Sequence, residues 1–316
     1  MRSIIIISFV AAIFLGFTDP EKNPHTKKEY QTRNVVIVVI DGPRYSETWG
    51  SEEKEHIPRL ANFLSKEGVV NTSFYNTAPT YTNAGHTAIT TGVRQHINNG
   101  GQELPQQVSI FQKWREATGQ PAEKAWVIAS KDKLHILSDT KNRTYAGKFN
   151  PEINCGNRGP GSGYRPDSVT LQVTKELLQQ HRPNLVLVNF KEPDARGHQG
   201  DWKGYLNGIR TTDEYVWQLW QFLQQDPHYR QQTTLILTND HGRHIDNHRD
   251  GFVSHGDRCK GCKHLNFFAA GPDFKRNLII SEKYNQTDIS ATVAELLGFK
   301  METSEGEVMW EVFKDR

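Results

Sequence analysis

The run Val35-Val36-Ile37-Val38-Val39-Ile40 ends in Asp41-Gly42, and a second run, Thr234-Leu235-Ile236-Leu237-Thr238-Asn239, ends in Asp240-His241. Neither alternates apolar with polar residues, so each reads as a strand covered on both faces, the usual condition of parallel strands between helical layers. Asp41 and Asp240 then mark the points where a buried strand gives way to a loop. Ligands of open α/β sheets bind beyond the carboxyl ends of strands, so side chains from distant segments can converge on that one edge.

Apolar or β-branched runs recur at 34–40, 69–75, 124–130, 184–190, 233–238 and 265–270, separated by helix-period stretches near 57–66, 85–91, 108–118, 166–180, 204–225 and 288–297. This alternation predicts an α/β fold with a mainly parallel sheet sandwiched between helices. Thr287 or Asp288 is placed to cap the last helix and Gly298 to stop it. No internal repeat is present. The stretch 139–167, rich in Asn, Gly and Pro, reads as a long irregular loop of the kind that often carries function. The chain has 316 residues, with 38 Lys and Arg against 36 Asp and Glu and no basic arm, which argues against nucleic-acid scaffold binding.

Met1-Arg2-Ser3 and the apolar stretch 4–17, short for a membrane span, read as an export signal over 1–18. A polar linker follows at 19–32 and a single domain at 33–316. The expected location is periplasmic or secreted, with membrane attachment only if the N-terminal segment stays uncleaved. Of three cysteines, Cys259 and Cys262 form a Cys-x-x-Cys for which a local disulfide is the plain reading in an exported chain. The alternative is a structural zinc held by His255, Cys259, Cys262 and His264.

The candidate chemistry lies in four segments. Asp194 and His198 share a loop after the strand at 184–190, and Asp240-His241 offers a second carboxylate–imidazole pair, with Gly242 allowing a sharp turn beside an ion. Asp41 and His255 add an oxygen and a nitrogen donor. Such a set suits zinc, with manganese or iron also compatible. Thr82 lies in a turn that runs into a helix near Gly85; its hydroxyl becomes a nucleophile when a metal withdraws its proton, and the helix N-terminus favours an anion. Thr80 and Thr87 are the other hydroxyls within reach.

These ordered motifs resemble the alkaline phosphatase superfamily, in particular its two-zinc, threonine-nucleophile members: the nucleotide pyrophosphatase/phosphodiesterases and certain bacterial phosphatases. The matching features are a first strand ending in Asp41-Gly42, Thr82 with His86 four residues on, Asp194-x-x-x-His198, and Asp240-His241-Gly242 with the later His255-Gly256. The resemblance implies an alkaline phosphatase-like fold and two Zn2+. Asp194, His198 and His255 would hold one, and Asp41, Thr82, Asp240 and His241 the other, with Thr82 the catalytic nucleophile that becomes phosphothreonine. It also implies substrate contacts from Lys131, from Lys133 where the family has Arg, and from Asn99, with Asn98 the alternate. For the two lysines an exposed charged turn is the competing reading.

The expected substrate is a small phosphate ester, a monoester first. A phosphodiesterase with Tyr164 or Trp202 as an aromatic wall is the alternative. A sulfatase lacks its Cys-x-Pro-x-Arg type motif here, a phosphomutase fits poorly with an export signal, and a zinc-dependent binding protein without turnover represents a different class.

Overall fold

The computed structural model describes residues 29–315. Its strands are β1 (Asn34–Asp41), β2 (Val69–Tyr75), β3 (Ala125–Ala129), β4 (Glu152–Cys155), β5 (Leu185–Pro193), β6 (Thr233–Asn239), β7 (His264–Ala270), β8 (Leu278–Ile280) and β9 (Tyr284–Asn285). Its α-helices are α1 (Pro58–Asn62), α2 (Thr82–Thr91), α3 (Ile110–Thr118), α4 (Asp167–His181), α5 (Asp194–His198), α6 (Trp202–Gln225), α7 (Lys260–Lys263) and α8 (Gln286–Leu297). The strands form one sheet in the order β4-β3-β5-β1-β6-β7-β2-β8, with β9 also paired to β2. Pairing is parallel except where β7 runs against β6 and β2, so the sheet is mixed and mainly parallel, as expected.

β1 shows why its sequence is apolar throughout. Val35, Ile37 and Val39 point into a core with Ile89, Ile110, Phe111 and Ile289, contributed by α2, α3 and α8. Val36, Val38 and Ile40 point into the opposite core, with Leu60, Leu171, Leu178, Ile209 and Val216 of α1, α4 and α6. Each face of the strand is roofed by helices, so no position is left for a polar alternate.

The six expected strands are all present. The helical stretch at 57–66 is divided, α1 ending before a 3-10 turn at Leu64–Glu67. The 139–167 stretch is not wholly irregular, since it contains β4, a four-residue strand too short for a periodicity to register. α8 is capped two or three residues earlier than expected: Asn285 accepts from the Thr287 N–H at 3.1 Å while Asp288 Oδ2 accepts from the Asn285 N–H at 2.7 Å. Gly298, at φ +73°, ends that helix. The segment expected as an export signal lies outside the described residues, as does the linker up to residue 28. Gln31 and Thr32 donate backbone N–H bonds to Asp273. Among the described residues no helix is long and apolar enough to cross a membrane.

Candidate metal centre

Strand order assembles the site. β3, β5, β1 and β6 are consecutive neighbours, and their carboxyl ends carry Lys131, Asp194, Asp41 and Asp240 respectively. Register completes the alignment: Asp41 lies opposite Pro193, and Ile40 opposite Asn239, so Asp194 and Asp240 follow directly on either side. The chain leaves β3 towards β4 on one side and its neighbour β5 towards β6 on the other, a topological switch point where α/β sheets open a crevice. α2 enters it from the other face. A Cβ on Gly85 would stand 2.3 Å from the Asp240 carbonyl oxygen, so only glycine lets the first turn of α2 lie against the end of β6.

Six of the seven expected ligands meet there in two groups. Asp194 Oδ1 lies 3.4 Å from His198 Nε2 and 3.5 Å from His255 Nε2, and the two imidazole nitrogens are 3.1 Å apart. His241 Nε2 lies 3.5 Å from both Asp41 Oδ1 and Asp240 Oδ2. The rings of His241 and His255 stack at 3.7 Å, joining the groups. Thr82, the first residue of α2, presents its hydroxyl to Lys131 Nζ at 3.3 Å, and Lys131 also reaches Asp41 at 2.9 Å and Asp194 at 2.7 Å. The alternatives to Thr82 are disposed of differently: Thr80 donates its hydroxyl to the Asp257 carbonyl, and Thr87 is buried within α2.

Electrostatics call for a cation. Three buried carboxylates face two buried positive charges, Lys131 and Arg243. Burial raises the Asp240 carboxyl well above the carboxylate range, with Asp41 adding to the rise, and burial also raises Asp41 against the pull of Lys131. Asp194 is opposite: burial favours its neutral form, but Lys131 and Arg243 together hold it well below the usual range. Burial pushes His241 down to about 3 and His86 down to about 4, so both rings are neutral and bear lone pairs. Asp41 Oδ1, Asp240 Oδ2 and His241 Nε2 are buried without a hydrogen-bond partner. Three orphaned donor atoms around one point fit a divalent cation, and their nitrogen and oxygen chemistry suits zinc, manganese or iron.

Residues 33–301 match the family described as the Metalloenzyme superfamily. The chain belongs to the Metalloenzyme superfamily. Membership carries with it a bound divalent cation. Two curated relatives of this metalloenzyme are a 2,3-bisphosphoglycerate-independent phosphoglycerate mutase from Gracilaria tenuistipitata, 22% identical over 43% of this chain and 26% of its own length, and a phosphopentomutase from Herpetosiphon aurantiacus, 27% identical over 46% and 34%. The matched stretch thus spans about a third or less of those relatives. Among solved structures, a phosphonate monoester hydrolase from Silicibacter pomeroyi superposes with a TM-score of 0.65 at 13% identity, covering 88% of this chain and 76% of the other. Murine ectonucleotide pyrophosphatase/phosphodiesterase 5 gives 0.62 at 16%, covering 87% and 97%, and its inactive threonine-to-alanine form was solved with AMP. The fold is that of the alkaline phosphatase superfamily, as the motifs implied.

The metalloenzyme departs from its sequence reading at several residues. Asp194 and His198 sit at the two ends of the one-turn helix α5, where an i,i+4 spacing brings their side chains together, instead of in a loop. α2 begins at Thr82, not Gly85, so the hydroxyl belongs to the helix's own first turn. Gly242 makes no left-handed turn; it is needed because a Cβ there would meet the Gly261 carbonyl oxygen at 1.9 Å. Lys131 is buried and Lys133 half-buried, which excludes an exposed charged turn. Lys133 donates to Asn99 Oδ1 at 3.1 Å, and that oxygen also accepts from the Asn83 N–H of α2 at 3.0 Å. Asn98 is exposed and turns its amide oxygen to Gly100. Trp202 does not line the site; it packs on Tyr205 and Phe252.

Cys259 and Cys262 are free thiols, so the expected local disulfide is not formed. The zinc set with His255 and His264 is also not assembled. His264 bonds the Thr72 carbonyl and stacks on Tyr45, while His255 faces Asp194.

Arg243 was not singled out from the sequence. It is fully buried, donates to Asp194 Oδ1 and the Phe252 carbonyl, and reaches the Val253 carbonyl at 2.5 Å. Its one signal is adjacency to Asp240-His241-Gly242, and a lone arginine in a polar loop gives no hint of burial. His86, part of the threonine motif but given no role, bonds the Thr82 carbonyl through Nδ1 at 2.9 Å and Asn189 through Nε2 at 3.3 Å, bracing the first turn of α2.

Proposed function

We propose that the chain is a zinc-dependent phosphoric ester hydrolase that acts through a phosphothreonine at Thr82 and prefers monoesters. The observation that carries this reading is the position of the Thr82 hydroxyl, on the first residue of α2 and 3.3 Å from Lys131 Nζ. Cations held by Asp41, Asp194, His198, Asp240, His241, His255 and Thr82 itself would supply the Lewis acidity that a threonine nucleophile and an ester leaving group require.

The chain's own groups account for the rest. Lys131 and Lys133 bring two largely buried positive charges to one side of Thr82, which favours a dianionic terminal phosphate. The N-terminus of α2 adds its partial positive charge. Asn99 ties Lys133 to that helix end. The inactive threonine-to-alanine form of the murine relative supports the same role for Thr82. The apolar stretch 4–17 supports export to the periplasm or beyond.

One observation favours a phosphodiesterase as the second reading. The Tyr164 ring lies 5.6 Å from Lys131 Nζ at the head of an open groove of about 620 Å³ that continues past Lys191, Arg196 and Tyr215. The deciding experiment measures kcat/KM of the zinc-loaded protein on an aryl phosphate monoester and an aryl nucleotide diester, with Thr82→Ala as control. The expected result is faster monoester turnover with release of inorganic phosphate, and loss of turnover in Thr82→Ala with its metal retained. Faster diester turnover shifts the assignment to the Tyr164 groove, and turnover surviving in Thr82→Ala removes the phosphothreonine. Transfer of the phosphoryl group to an added sugar or glycerate acceptor, in place of release, marks a mutase.

A further inference from the structure

Between β6 and β7 the chain carries four histidine and cysteine side chains that the centre described above does not use. They come as two pairs: His244 and His248 with three residues between them, and Cys259 and Cys262 with two. These are the spacings from which structural zinc is bound by two imidazoles and two thiolates. Asp257 links the pairs. Ligand atoms of His244, His248 and Asp257 lie within 4.8 Å of one another, and so do those of Asp257, Cys259 and Cys262. Asp257 Oδ2 is 2.6 Å from His248 Nε2, 3.4 Å from His244 Nε2 and 3.4 Å from Arg249 Nε. Asp257 Oδ1 accepts from the Cys259 N–H at 2.9 Å.

One atom separates this cluster from a surface ion-pair network. His244 is only 2% exposed, and its Nδ1 lies 2.8 Å from Asp250 Oδ1. That carboxylate fixes the orientation of the ring. Nε2 is buried without a hydrogen-bond partner and faces Asp257. A carboxylate on one ring nitrogen, with the other nitrogen turned to the ligand cluster, is how metal-binding histidines are oriented. On the other side of Asp257, Cys262 is fully buried and donates its N–H to Cys259 Sγ at 3.4 Å.

We infer that this loop binds a structural zinc-type cation, separate from the candidate catalytic centre, between the pairs His244/His248 and Cys259/Cys262, the cation taking the place on both imidazole Nε2 atoms that Asp257 Oδ2 holds in this structure. Binding displaces the two thiol protons to solvent and leaves the imidazoles neutral. The cation closes the segment 244–262, which contains the Phe252 and Val253 carbonyls that anchor Arg243 and contains His255. It thereby orders a ligand of the catalytic centre without touching substrate.

The test loads the full chain with Co2+. The catalytic centre contains no sulfur, and Cys155 is buried in β4 with its thiol on the Val127 carbonyl, so a thiolate-to-cobalt charge-transfer band reports this loop alone. The expected result is such a band in the wild type and its loss in Cys259→Ser/Cys262→Ser together with one equivalent of bound zinc. His244→Ala is expected to weaken cobalt binding at least tenfold. Absence of the band in the wild type overturns the inference even if the variants fail to fold. So does an intact mass showing a Cys259–Cys262 disulfide in the metal-loaded protein, or an unchanged cobalt spectrum and affinity in His244→Ala.

Discussion

At the scale of single residues, the site depends on charges placed where water does not compensate them. Lys133 is the clearest case. Burial, reinforced by Lys131, pushes its ammonium down to about 8, so it is charged below that pH and neutral above it. If it grips a phosphate oxygen, kcat/KM for the monoester is expected to decline as pH rises through about 8, because this ratio reports groups of the free enzyme. The decline should amount to about tenfold, the worth of one charge-assisted hydrogen bond. In Lys133→Arg the guanidinium stays charged, and the alkaline limb due to this group is expected to vanish. A pH profile of both proteins checks it.

At the scale of elements, one buried carboxylate joins two helices. Asp213, on the buried face of α6, accepts from the Arg59 N–H at 2.7 Å and the Leu60 N–H at 2.9 Å, closing the first turn of α1 from outside. Burial raises its carboxyl to about 7, although both N–H bonds pull the other way. An acid with a raised folded-state pKa contributes its full stability below the ordinary carboxylate range and loses it as pH climbs through the raised value. Between pH about 4 and about 7 this group is expected to remove up to about 1.4 kcal/mol per pH unit. Urea unfolding across that window should show a shallower decline in Asp213→Asn than in the wild type. An equal slope in both would mean that the carboxyl titrates normally.

Across the whole molecule, three strand ends bring carboxylates together, and the fold tolerates their repulsion through Lys131, Arg243 and the divalent metal that family membership implies. Removing metal should therefore destabilise the protein in a pH-dependent way. Asp41 and Asp240 have raised folded-state pKa values, so they favour folding when protonated and oppose it as they ionise with rising pH. With metal bound that opposition is absorbed, and ligation adds its own stabilisation. Calorimetry with and without chelator is expected to show a higher Tm for the loaded protein and a gap that widens from acid towards neutral pH. Asp213 contributes equally to both forms and drops out of the difference.

Much of this was legible in the chain itself. Where a stretch is buried on both faces, as at Val35 to Ile40, its composition alone identifies a central strand, and a carboxylate directly after it is placed at the sheet's edge by covalent continuity. Six strands and the positions of Asp41, Asp194 and Asp240 followed from that, and so did the resemblance that named the ligands. What the sequence left open was everything that depends on which strands become neighbours. The order β3-β5-β1-β6 sets Lys131 between two carboxylates and drives Arg243 inward onto Asp194. It also makes Gly85 and Gly242 matters of space between distant backbones. Burial of a charge leaves no periodic trace in its own segment, because the atoms that compensate it lie 49 residues away in Arg243 and Asp194. Local pattern determined the elements, and long-range packing decided which of their ends could share a cation.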